Sequence, residues 1–79
     1  MEPAEAFGLV LRRKRLESGM TQERLALDAG LERVFISWLE SGKRQPTFTT
    51  MVKLARALAC TVTELVHEAE EQLLNSAEE

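Results

Sequence analysis

The charged side chains of this 79-residue chain are ten bases and thirteen acids, and they are unevenly placed. All ten Lys and Arg lie within residues 1–56, against seven acids, whereas residues 57–79 hold six acids and no base. The first segment therefore carries +3 and the second −6, within a total of −3. A phosphate backbone responds to local basic surface more than to whole-chain charge, so the acidic total does not exclude a nucleic-acid partner. Other chemistry is thin. Cys60 is the only cysteine and His67 the only histidine, which rules out an internal disulfide and leaves no Cys/His cluster with metal-ligand spacing. There is no nucleophile–base set and no phosphate-cradling glycine loop, so neither catalysis nor a cofactor is expected. Cys60 reads as a small, buried or half-buried apolar residue, and His67 as a surface helix position.

The elements that must carry those cations are helical. Leu, Ala, Glu and Arg dominate, tyrosine is absent, and the β-branched residues show no alternation. The pattern predicts an all-α, five-helix chain forming one domain over 1–79. The predicted helices cover about 4–18, 22–28, 32–40, 48–59 and 61–74, and residues 75–79 are expected to fray. Gly19, Gly30 and Gly42 each follow an apolar-periodic run and suit helix C′ positions, where positive φ is needed. Thr21 and Thr47 are N-cap residues, and Thr61-Val62-Thr63-Glu64 is a capping box in which Glu64 reaches back to the Thr61 amide. The inward positions are Phe7, Val10, Leu11, Leu25, Ala26, Ile36, Leu39, Phe48, Met51, Leu54, Ala55, Leu58 and Leu65. No run approaches the roughly 20 apolar residues of a membrane span, and the acidic start lacks a signal-peptide pattern. A soluble, cytoplasmic protein with no membrane partner is the expectation.

Residues 21–40 form the most informative unit. A helix of about eight residues, a turn centred on Gly30 and a second short helix make a helix-turn-helix. Ala26 is small where the two helices approach, and Ile36 and Leu39 lock the second onto the first. A second apolar stripe, Val62, Val66, Ala69 and Leu73, recurs at intervals of three and four on the last helix. A lone domain cannot easily cover it. With Leu65 and Val52 it is assigned to a two-fold homodimer interface.

Several stretches together resemble the lambda-repressor-like, xenobiotic-response-element (XRE) type of helix-turn-helix domain. They are Thr21-Gln22-Glu23-x-Leu25-Ala26, Gly30-Leu31, Ile36-Ser37-x-Leu39-Glu40-x-Gly42-Lys43-Arg44-x-Pro46, Leu54-Ala55-x-Ala57-Leu58 and Glu64-Leu65. The run Leu31-Glu32-Arg33-Val34-Phe35-Ile36-Ser37 further resembles the stand-alone controller proteins of restriction–modification systems.

The resemblance implies double-stranded DNA as partner, with the third helix in the major groove. Its outward residues Glu32, Arg33, Val34, Phe35, Ser37 and Trp38 are the implied base contacts. Arg33 has the fork for guanine O6 and N7, and Val34 or Phe35 suits a thymine methyl. Gln22, Lys43, Arg44 and Gln45 are the implied phosphate contacts, with Arg12 and Arg13 as further candidates whose alternative is a solvated helix face. Arg15 and Glu40 match positions that form an internal ion pair. Glu68, Glu70 and Glu71 would face away from DNA. The resemblance also implies a dimeric transcriptional regulator on a palindromic operator, with paired dimers on adjacent sites, blocking or recruiting RNA polymerase. A protein-interaction module that kept the fold is the competing class. Two residues depart from the family pattern: Ala59 stands where glycine is usual, and Trp38 occupies a variable outward position, to pack on DNA or on its own domain.

Overall fold

The computed structural model describes residues 1–77. Among these, five helices follow in the order α1 (Pro3–Glu17), α2 (Gln22–Ala29), α3 (Arg33–Glu40), α4 (Phe48–Ala57) and α5 (Val62–Ala77). None of them is long and apolar enough to cross a membrane.

The ends of the helices follow from local chemistry. Pro3 opens α1 at a position whose amide has no helical partner anyway, and the Glu2 amide donates to Glu5 Oε1 at 2.9 Å. Thr21, Thr47 and Thr61 each accept the amide three residues ahead, at 3.0, 3.1 and 3.0 Å. The Glu64 carboxylate accepts from the Thr61 hydroxyl at 3.3 Å, where the sequence suggested the Thr61 amide. The first four helices all stop in the same way. The amides of Met20, Leu31, Lys43 and Cys60 reach back to the carbonyls of Arg15, Ala26, Trp38 and Ala55 at 2.8–3.1 Å. Each stop needs one residue at positive φ. Glycine fills three of them, and Ala59, at φ 54°, fills the fourth at a steric cost.

Leu11, Leu25, Ile36, Leu39, Leu54, Leu65 and Val10 are fully enclosed, and they draw on all five helices. Helix α1 lies across α3 and α5, α2 packs on α3 and α4, and α4 meets α5. The α1–α3 crossing depends on Gly8. A Cβ there would stand 2.4 Å from the Leu39 carbonyl oxygen and 2.7 Å from that of Glu40, so only glycine lets the two backbones meet. The α1–α5 contact is closed by charge. Lys14 Nζ lies 2.7 Å from Glu68 Oε2, and the Arg13 guanidinium takes the other carboxylate oxygen. The Lys14 hydrogen bond, with help from Arg13, holds the Glu68 carboxyl below the usual glutamate range against the opposing effect of partial burial.

Three expectations are corrected. Phe48 is 67% exposed, because it is the first residue of α4 and points off the end of the core instead of into it. Helix α5 continues through Asn75 and Ser76 to Ala77 where fraying was expected; Glu78 and Glu79 lie outside the described residues. Leu65 is wholly enclosed and Ala69 nearly so, since both face α1 and the core, so Leu65 has no surface to offer a second subunit. Val66 is exposed, and Val52, Val62 and Leu73 are half-buried. Cys60 is half-buried and His67 exposed. Burial, followed by the charge of Glu64, pushes the Cys60 thiol above its ordinary range and keeps it neutral.

Two substitutions at glycine-type positions should have opposite signs in urea unfolding. Gly8→Ala should cost about 1–3 kcal/mol or more by forcing α1 off α3, whereas Ala59→Gly should add up to about 1 kcal/mol by removing left-handed strain. The Glu68 clamp should titrate. A carboxyl depressed in the fold contributes its full stability above the unfolded-chain value and loses it as pH falls through the folded one. Between about pH 5 and 3 the native chain should therefore lose stability more steeply than Glu68→Gln, read from urea midpoints across that range.

Candidate nucleic-acid interface

The geometry of α3 starts from one enclosed cation. Arg15 leaves α1 and reaches Glu40, the last residue of α3, through two bonds: Nε to Oε2 at 2.6 Å and Nη2 to Oε1 at 3.0 Å. Its third donor, Nη1, reaches the Met20 carbonyl at 2.8 Å. The two side chains are only 9% and 5% exposed, and the Glu40 hydrogen bond raises the already high pKa of the guanidinium. Here planar, bidentate pairing does what a lysine could not.

The chain of bonds continues outward. Gln22, first residue of α2, donates from Nε2 to Glu40 Oε1 at 3.1 Å, and its Oε1 accepts from Arg33 Nη1 at 3.4 Å. A relay thus runs from the enclosed Arg15 through Glu40 and Gln22 to Arg33 at the solvent-facing start of α3. Gln22 was singled out in the sequence as a phosphate contact on a helix N-terminus. Its second role, aiming Arg33, was not visible there, because nothing in the spacing of Gln22, Arg33 and Glu40 says that they meet.

The outward residues of α3 do not form a uniform face. Glu32 is the N-cap, with extended backbone, and is exposed together with Arg33 and Val34. Ser37 is half-buried. Phe35 is half-buried too, and its ring packs on the core, so it is less free to read a base than the sequence suggested. Trp38 is 36% exposed, with the Arg44 guanidinium carbon 5.1 Å from its ring centre. Beyond α3, Lys43, Arg44 and Gln45 are all exposed. Gly42, which begins this loop at φ 77°, presses on α1: a Cβ there would lie 2.9 Å from Glu5 Cγ.

A shallow depression of about 280 Å³ lies at the meeting of α1, α2 and α3. It is lined by Arg12, Arg15, Gln22, Ser37, Glu40 and Ser41, so the structure brings three of the implied DNA contacts, Arg12, Gln22 and Ser37, to one rim beside the Arg15–Glu40 pair. Arg13 is not among them. It points the other way, to Glu68. Between α1, α4 and α5, Phe7, Met51, Val66, Ala69 and Leu73 line an apolar groove of about 330 Å³, bordered by Pro3, Gln45 and Pro46.

Residues 11–65 match the helix-turn-helix family model, and the matched segment contains the whole Arg15–Glu40–Gln22–Arg33 relay. The chain belongs to the helix-turn-helix family. It is similar, at 37% identity over 71 residues covering 90% of this chain and 92% of the other, to an uncharacterized HTH-type transcriptional regulator, y4dJ, of Sinorhizobium fredii. Among solved structures it resembles the restriction-modification controller protein C.AhdI of Aeromonas hydrophila, with 37% identity and a TM-score of 0.77 over 78% of this chain and 94% of that one. It also resembles the controller protein C.Esp1396I, solved as a tetramer with its natural 35-base-pair operator, with 27% identity and a TM-score of 0.83 over 94% of this chain and 97% of that one. This helix-turn-helix protein is thus a transcriptional regulator of the all-α type and not an enzyme.

The enclosed ion pair should be strongly non-additive. Glu40→Ala or Arg15→Ala alone, leaving a charge without its partner, should cost about 3–5 kcal/mol in urea unfolding. The double change Arg15→Met with Glu40→Leu should cost clearly less than the two single changes summed.

Proposed function

We propose that this regulator acts as a two-fold dimer that reads a palindromic operator through α3, in the manner of restriction–modification controller proteins. The carrying observation is the relay that holds Arg33 exposed at the entry to α3, with Gln22 beside it and Lys43 and Arg44 exposed on the loop that follows. Arg33 is the principal base reader, able to take guanine O6 and N7 with its fork. Val34 offers a methyl surface and Ser37 a hydroxyl to neighbouring base edges, and Glu32 borders them. Phe35 contributes at the edge of this surface, and Trp38 borders it from the last turn of α3. Gln22, Arg12, Lys43, Arg44 and Gln45 take phosphates on either side and set the register without reading sequence. Arg13, engaged by Glu68, is the least available of the basic candidates.

In this reading residues 1–79 work as one domain, and the dimer forms on the apolar side of α5. Val66, with Val62, Val52, Leu73 and the rim of Ala69, supplies the self-complementary patch around the groove near Pro46. A dimer of this kind sets two α3 helices about 34 Å apart, one turn of duplex. Paired dimers on adjacent sites are supported by the likeness to C.Esp1396I, solved as a tetramer on its operator. Control of restriction and modification genes is supported by the likeness to C.AhdI. Bound upstream of such genes in the cytoplasm, the dimer would block RNA polymerase or recruit it, depending on where the operator lies.

Selection from random duplex DNA followed by fluorescence anisotropy tests this reading. A two-fold symmetric sequence should emerge. Arg33→Ala should weaken binding to it by about 10- to 100-fold, chiefly at one position of each half-site. Lys43→Ala should weaken binding to all sequences alike and make the salt dependence shallower by about one unit of slope. No duplex binding by the unmodified protein at about 50 mM salt, well inside the range where phosphate contacts are strong, would overturn the proposal.

A further inference from the structure

We propose that Trp38 is a positioning residue, whose indole face and backbone carbonyl together hold the Lys43–Arg44 loop in a preformed arrangement for DNA phosphate. The inference rests on the DNA-binding reading above and gives Trp38 a specific part in it.

Trp38 holds the loop at two points. The Lys43 amide donates to the Trp38 carbonyl at 2.9 Å, and the Ser41 hydroxyl donates to the same oxygen at 3.2 Å. One residue later, the Arg44 guanidinium carbon stands 5.1 Å from the ring centre, within the range at which an aromatic face attracts a cation. Gly42 supplies the turn that makes both contacts possible. No carboxylate is paired with Lys43 or Arg44 among the described residues, so the two cations are oriented without being neutralised.

The position of Trp38 argues against a base-reading role. It lies in the last turn of α3, away from the N-terminal residues that enter a groove first. Its ring also carries the guanidinium against it. A long arginine side chain loses rotamer freedom when it binds phosphate, and an aromatic platform imposes part of that loss before DNA arrives. The guanidinium can keep one face on the ring while its in-plane N–H groups take phosphate oxygens.

Two measurements test this, one of them without DNA. In the free protein, ring current should shift the Arg44 δ protons upfield, and Trp38→Leu should abolish that shift; ordinary Arg44 shifts in the native chain would overturn the proposal. On the selected duplex, Trp38→Leu should weaken binding about two- to fivefold with unaltered base preference. Its salt slope should be shallower, by up to about one. Arg44→Ala should then add little in the Trp38→Leu background, and Trp38→Phe should restore binding and slope. A circular-dichroism melt confirms that each variant is folded, and Trp38→Phe provides the comparison if the leucine variant is not. Native binding combined with an unchanged slope in Trp38→Leu, or a changed base preference at one operator position, overturns the positioning role alone. Failure of the native protein to bind any duplex overturns the DNA-binding reading along with it.

Discussion

The structure depends on one enclosed arginine. Among the described residues Arg15 is the one charged residue buried in the core, and its donors bind α3 through the equally enclosed carboxylate of Glu40 and the start of the α2 turn through the Met20 carbonyl. Hydrophobic packing alone would let two eight-residue helices slide on a neighbour, because apolar contact has no direction. A planar fork that must meet a carboxylate and a carbonyl at once does have one. The angle of the helix-turn-helix against α1 is therefore set by hydrogen-bond geometry. Gln22 carries that setting outward to the surface, where its side-chain oxygen accepts a long, exposed bond from Arg33.

Around this pair the chain uses economical means suited to its length. Seven large, fully enclosed side chains make the centre of the core, and Gly8 lets α1 lie directly on the end of α3. Helix α5 closes the far side through Leu65 and through the clamp of Arg13 and Lys14 on Glu68. Part of the acidity of the C-terminal segment is thereby spent internally. The two basic residues in the clamp belong to the architecture, whereas Arg12, Lys43 and Arg44 remain exposed.

Much of this was legible from residue types. Gly19, Gly30 and Gly42 announced their turns because few other residues tolerate positive φ, and Thr21, Thr47 and Thr61 announced the helix starts. The Arg15–Glu40 pair was expected from family resemblance, not from spacing, since nothing local links two positions 25 residues apart. What stayed hidden was tertiary. Gly8 looks like a poor helix residue until α3 is placed against it. Phe48 has the periodicity of a core residue but, as the first residue of α4, it stays largely exposed. Phe35 shares a sequence stretch with outward residues while its ring turns to the core. Periodicity says which residues share a helix face, but only packing says how far that face extends.

Gly42 is constrained twice, by a left-handed backbone and by the first turn of α1, whose Glu5 Cα would lie 3.1 Å from any added Cβ. The exit of the helix-turn-helix is thus riveted to the amino-terminal helix. For anyone retargeting such a protein, this divides the scaffold into editable and fixed parts. Libraries can randomise Arg33, Val34 and Ser37 while leaving the rivet untouched. A transplanted segment that brings a bulkier residue to position 42 would misplace the grafted helix before its new specificity could be tried.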